Sequence, residues 1–149
     1  MRLNLPDCEL KIKKTNQDIT VYDILRKKFV ALTPEEWVRQ HFVHYLINTK
    51  TFPMERMANE MSLVQNGIKR RCDTLVADIY GHPQVIVEYK APTIEITQAV
   101  FDQIVRYNMV LQARYLIVSN GLSHYCCEID YEKNTYHFLH DIPEYKDLK

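Results

Sequence analysis

The sequence predicts an α/β sandwich, a central mixed β-sheet flanked by helices. Two observations carry this. Leu75-Val76-Ala77, Val85-Ile86-Val87 and Tyr115-Leu116-Ile117-Val118 are apolar at successive positions, the pattern of strands covered on both faces. Residues 33–50 and 94–111 instead repeat apolar side chains at helical spacing. A sheet buried on both faces needs helices against it, so the two patterns together define the layers. With 149 residues, 46% hydrophobic and 26% charged, the chain can bury one core without disulfide or metal staples. Residues 1–149 read as a single domain, with 1–32 as an extension packed on the core and 141–149 as a polar tail.

The elements follow in order. Around Arg26-Lys27-Lys28, residues 21–25 and 29–32 read as short strands or a helical turn. A helix starts at Thr33, a good N-cap, with Pro34 at the first helical position and Glu35 and Glu36 in the first turn. Thr33 and Glu36 have capping-box spacing. Trp37, Val38, Phe42, Tyr45 and Leu46 cover one face, and the helix fades near residues 48–50. Residues 57–65 are a first strand, turned at Asn66-Gly67, a hairpin signal. Residues 71–79 and 84–90 are two more strands, joined through Tyr80-Gly81-His82-Pro83. The second helix, 94–111, carries Ile96, Val100, Ile104 and Leu111 along one face. A strand at 114–119, a turn at Asn120-Gly121 and strands at 124–131 and 135–139 complete the sheet.

Nineteen basic residues balance nineteen acidic ones, so bulk charge does not advertise a nucleic-acid partner. The distribution is uneven, and Lys69-Arg70-Arg71 forms a local basic run. Cys8, Cys72, Cys126 and Cys127 lack zinc-site spacing and read as reduced thiols; the adjacent Cys126 and Cys127 point to opposite faces of their strand. No signal peptide and no membrane-length apolar run appear, which predicts a cytoplasmic protein. Only three glycines are present and none forms a phosphate-binding loop, which argues against ATP hydrolysis within this chain.

The chemistry concentrates between Asp73 and Lys90. Glu88 and Lys90 are two apart on a strand, so their side chains share a face. They end an apolar run, where charge is costly unless paired or bound to metal. A hairpin turn centred between Tyr80 and Gly81 sets Asp73 opposite Glu88; a turn through residues 80–83 sets it opposite Lys90. Both registers put all three on one face, whereas a one-residue slip would not. An Asp and a Glu held together offer hard oxygens suited to Mg2+ or Mn2+, with Lys90 placed to orient water and stabilise developing charge. A cross-strand ion pair to Lys90 is the plainer alternative. Gln103 and Tyr107 are neighbours on the second helix: they could hold a phosphate or nucleotide, or form an ordinary exposed face. Glu36 could reach the metal as a third ligand or simply cap its helix, and Glu35 competes for that place. His124, His137 and His140 lack ligand spacing.

Asp73 followed by Glu88-Tyr89-Lys90 resembles the PD-(D/E)xK nuclease core, and Gln103-Ile104-Val105-Arg106-Tyr107 is similar to the QxxxY motif of its RecB-like branch. With residues 33–40, Glu88-Tyr89-Lys90-Ala91-Pro92 and Ser119-Asn120-Gly121, the resemblance is to the N-terminal nuclease domain of type I restriction enzyme R subunits. It implies a restriction-endonuclease-like sandwich and a Mg2+-dependent DNA endonuclease. It makes Asp73 and Glu88 metal ligands, Lys90 the catalytic lysine and Glu36 the acid from the helix, with Gln103 and Tyr107 supporting the site or touching DNA. Cys72 stands where the motif name has proline, which removes no ligand. R subunits continue into an ATP-driven motor that these residues do not include, so a separate motor or specificity subunit, or a homodimer, is the expected partner. The competing expectation is a catalytically weak nuclease-fold module that binds DNA or protein.

Overall fold

The computed structural model describes residues 1–149. A three-stranded antiparallel sheet comes first: β1 (Ile12–Lys14), β2 (Ile19–Asp23) and β3 (Lys28–Ala31). The basic segment 24–27 is therefore a tight turn between two strands, with Lys27 left-handed at φ 56°. Helix α1 (Pro34–Asn48) leads to a six-stranded sheet of β4 (Met57–Gln65), β5 (Ile68–Ala77), β6 (Pro83–Tyr89), β7 (Tyr115–Ser119), β8 (His124–Asp130) and β9 (Thr135–Phe138), with α2 (Gln98–Asn108) between β6 and β7. The strands lie in sequence order. Only β6 and β7 are parallel, and α2 is the crossover that such a pair requires. The sheet is thus mixed and flanked by α1 and α2.

That sheet divides the core in two. Val38, Phe42 and Leu46 of α1 pack on Val76, Val85, Val87 and Ile117. Phe101 and Val105 of α2 pack on Leu75, Ile86, Leu116 and Val118. Val85 and Val87 thus face α1 while Ile86 between them faces α2, which explains the unbroken apolar run. Cys126 and Cys127 likewise belong to opposite layers. Asn66 and Gly67 both have positive φ, 51° and 77°, the conformation an Asn-Gly hairpin selects. Gly121, at φ 86°, lets the chain pass under Leu3: a Cβ there would sit 2.7 Å from Leu3 Cδ2.

Helix α2 departs from the sequence reading. Its cap is Thr97, whose hydroxyl accepts the Val100 N–H at 3.2 Å, so 94–96 lie outside it. The fully buried stripe is Phe101, Val105 and Asn108, displaced from the stripe read through Val100 and Ile104, because the large Phe101 takes the centre of the layer. The tail, though polar in composition, sends Ile142 into the α1 layer and stacks Tyr145 on Phe52, ring centroids 5.4 Å apart. A buried polar chain ties the first sheet to the second. Asn59 Nδ2 donates to Asp23 at 2.9 Å, Thr74 Oγ1 donates to Asn59 Oδ1 at 2.6 Å, and Thr74 Oγ1 lies 2.8 Å from Tyr89 Oη. No helix is long and apolar enough to cross a membrane.

Candidate functional site

The register of β5 on β6 runs through Val76↔Val85, Leu75↔Ile86 and Thr74↔Val87 and then stops. Continued by one step it sets Asp73 opposite Glu88, the first of the two registers the sequence allowed. There the strands splay, and a side chain takes over from the backbone: Asp73 Oδ2 accepts the Tyr89 N–H at 2.9 Å. On the other edge of β6, the Lys90 N–H donates to Ser119 O at 2.9 Å, fixing the strand that carries Glu88 and Lys90.

Glu88 is the electrostatic anomaly of the chain. Burial first, and the Asp73 carboxylate second, by charge and by a shared hydrogen bond, push its carboxyl up to about 9; Asn108 and Lys90 pull more weakly the other way. Two carboxyl groups in one site cannot both ionise cheaply. Glu88 Oε1 is buried without a partner, which a protein interior rarely tolerates.

Glu88 and Lys90 form one wall of a cavity of about 240 Å³, and Val100, Gln103, Ile104, Tyr107 and Asn108 of α2 form the other. Four of the residues singled out in the sequence therefore face one space, and Asp73 adjoins it through Glu88. Asn108 was missed. It is 2% exposed, its Nδ2 donates to Ile104 O at 2.9 Å and its Oδ1 has no partner. Its signal was a polar residue seven positions after Phe101 on the apolar stripe, hidden while the stripe was misplaced. Two wider hollows of about 590 and 730 Å³ lie around residues 78–84 and 128–137. Among their acids, Asp78 Oδ1 accepts from N–H groups of its own turn and Glu128 pairs with Arg114 at 2.6 Å.

Glu36 does not join the pair. Its Oε1 accepts from Arg26 Nη2 at 2.7 Å and Arg39 Nη2 at 3.2 Å, and its Oε2 from Arg39 Nε at 3.0 Å and Gln40 Nε2 at 2.9 Å. The lone pairs of this buried carboxylate are thereby occupied by α1 and the β2–β3 turn. Nor does it cap the helix: Thr33 Oγ1 accepts the Glu36 N–H at 3.0 Å, while the Thr33 N–H donates to Ala31 O instead of to the Glu36 carboxylate. Glu35 is exposed. Nowhere do three His, Cys, Asp or Glu side chains converge as a metal cluster. The late histidines carry no site either; His124, for one, lies between Ser119 Oγ at 2.7 Å and Asn4 O at 2.8 Å.

A basic arm flanks the cavity. Beyond Leu63 and Arg70 the β4–β5 hairpin is exposed. Arg70 lies over the Tyr107 ring at 4.5 Å and donates to Tyr107 O at 2.9 Å, while Lys69 is free. Arg71 is paired with Glu60.

A mixed sheet whose splayed strands end in an Asp/Glu pair and a lysine, faced by a Gln/Tyr helix, is the restriction-endonuclease-like sandwich. The profile of one family, described as the type I restriction enzyme R protein N terminus, matches residues 34–143, and the chain belongs to that family. Among solved structures it is similar to one described as a fragment of an HsdR subunit of a type I restriction enzyme from Vibrio vulnificus YJ016, with a TM-score of 0.56 and 18% identity over 78% of this chain. At that identity the likeness is one of fold, and the chain spans 24% of that structure's length. No curated protein matches the chain.

Proposed function

We propose that this chain is a metal-dependent DNA endonuclease domain of restriction type, hydrolysing phosphodiester bonds. The observation that carries the reading is the half-buried Asp73–Glu88 pair beside Lys90, with the buried Glu88 Oε1 lacking any partner. The donor set fits Mg2+ or Mn2+: magnesium is commonly held by one or two carboxylates plus waters and phosphate oxygens, and a divalent charge would let both acids ionise. Asp73 and Glu88 would hold it. When bound, such an ion neutralises charge on the phosphate and acidifies water.

The chain's own residues do the rest. The Tyr89 N–H orients the Asp73 carboxylate. Lys90, on the cavity wall, supplies a positive charge for the nonbridging phosphate oxygens and a donor to position the attacking water. Gln103 and Tyr107 line the facing wall, where an amide and a phenol can hold a nucleotide. Lys69 and Arg70 extend positive charge along the hairpin, which suits a phosphate backbone even though the chain is neutral overall. A separate motor or specificity subunit, or a second copy, would bring the DNA.

Plasmid is incubated with Mg2+ and the parent protein, Lys90→Ala or Asp73→Ala. Cleavage by the parent alone is expected; equal cleavage by all three at matched purity would end this reading. The second reading, a nuclease-fold module that binds without cutting, draws on the balanced charge of the chain. Calorimetric Mn2+ binding that disappears in Asp73→Ala counts against it.

A further inference from the structure

Asp73 sits at a break in both of its ladders. Toward β6 the register ends at Thr74↔Val87. Toward β4 it passes from Asn59↔Thr74 to Met61↔Cys72 and skips the pair between them, Glu60 and Asp73. Glu60 there is left-handed, φ 57°, a conformation an L side chain adopts at a cost. A segment released from both neighbouring strands should be mobile, yet it carries a candidate ligand whose position matters to a fraction of an ångström.

A side chain from across the sheet takes up the slack. Arg39 of α1 is 7% exposed. Its Nη1 donates to the Asp73 carbonyl at 2.8 Å, its Nε to Glu36 Oε2 at 3.0 Å, and its Nη2 to Glu36 Oε1 at 3.2 Å and Glu60 Oε1 at 2.7 Å. Four bonds on one planar fork leave it little freedom. Glu36 is itself held by Arg26 and Gln40, so the fork is anchored on α1 and the first sheet.

From this geometry we infer that Arg39 is a positioning residue. It grips the β5 backbone by the Asp73 carbonyl, so that the Asp73 carboxylate stays on the Tyr89 N–H and beside Glu88, and Glu36 serves the site through Arg39 rather than as a ligand. In its metal-binding consequence this rests on the function proposed above; the grip itself does not. Glu60 completes it: its left-handed turn aims the carboxylate at Arg39 instead of continuing the ladder past Asp73.

The test is Arg39→Lys in the full chain. Lysine keeps the charge between Glu36 and Glu60, but its single ammonium lacks the fork that reaches the Asp73 carbonyl as well. Two readouts are taken: hydrogen exchange of the Tyr89 amide without metal, and Mn2+ affinity by calorimetry. Tyr89 protection should fall about tenfold or more, as when a hydrogen bond to a charged group is lost. Mn2+ affinity should fall about 10–100-fold, the usual consequence of losing a group that orients a ligand. Arg71→Ala, which also breaks an ion pair to Glu60 but does not touch Asp73, should change neither. If Arg39→Lys does not fold, the double variant Arg39→Gln with Glu36→Gln removes both charges together and carries the same expectation. Unchanged Tyr89 protection in the folded variant would overturn the inference and leave Arg39 a structural ion pair. A parent protein that binds no Mn2+ defeats the metal reading instead, and the exchange comparison still decides the grip.

Discussion

Glu88→Gln should make the metal-free protein more stable at neutral pH while removing the function its carboxylate serves. The Glu88 carboxyl is pushed from an ordinary value of 4.5 to about 9, by burial and by the neighbouring Asp73. A carboxyl whose value is raised on folding contributes stability that is complete below its ordinary value and is lost as pH rises toward its folded one. Each pH unit across that window is worth about 1.4 kcal/mol. At pH 7 the ceiling is therefore roughly 3–4 kcal/mol, and relaxation around a charge at an effective dielectric near 20 brings the expected difference to about 1–3 kcal/mol. Glutamine keeps the shape and, unlike glutamate, keeps a donor for Asp73 at every pH. For a chain of this size each kcal/mol is worth about 2–4 °C. Thermal melts in a chelator at pH 5, 7 and 8.5 should show parent and variant close together at pH 5, with the variant pulling ahead by several degrees as pH rises. Saturating Mn2+ should stabilise the parent and leave the variant unmoved. A variant less stable than the parent at pH 8.5, or a gap that does not widen with pH, would refute the reasoning.

Two further outcomes are expected. Arg70→Ala should weaken binding of duplex DNA and reduce the slope of log affinity against log salt by about one contact, measured by fluorescence anisotropy across a salt series; an unchanged slope would place the DNA elsewhere. Asp23 is held below its ordinary value despite burial, because Asn59 and Arg26 donate to it. Such a carboxylate contributes stability present above its ordinary value and lost as pH falls through its folded one. Asp23→Asn should therefore melt well below the parent at pH 7, with the gap closing as pH is lowered below about 4.

Much of the fold was legible because its signals are local. Val85-Ile86-Val87 is apolar on both faces because both faces are covered, and Thr33-Pro34 starts α1 where capping chemistry says it must. The face shared by Glu88 and Lys90 followed from strand parity, but that Asp73 shares it depended on the hairpin register, which the structure supplies. The start of α2 was misplaced because the apolar residues from Ile94 to Ile96 imitate a helical face, although Thr97 offers a better cap. The hydrogen-bond network around Glu36 was illegible for a different reason. Its engagement depends on Arg26, ten positions upstream in the turn of another sheet, and on Arg39, whose reach to Asp73 crosses 34 positions of sequence. No local pattern reports such a convergence. The left-handed Glu60 is equally silent, since nothing in a glutamate flanked by Asn59 and Met61 announces a break in a ladder.

The most direct measurement is a crystal structure of the parent protein grown near pH 7.5 and soaked in Mn2+, with anomalous scattering used to place the ion. One ion bonded directly to carboxylate oxygens of both Asp73 and Glu88, with Lys90 facing it across the cavity, is the expected result. An ion bound at Glu36 instead, or no ion between Asp73 and Glu88, would contradict the assignment of this pair as the metal site.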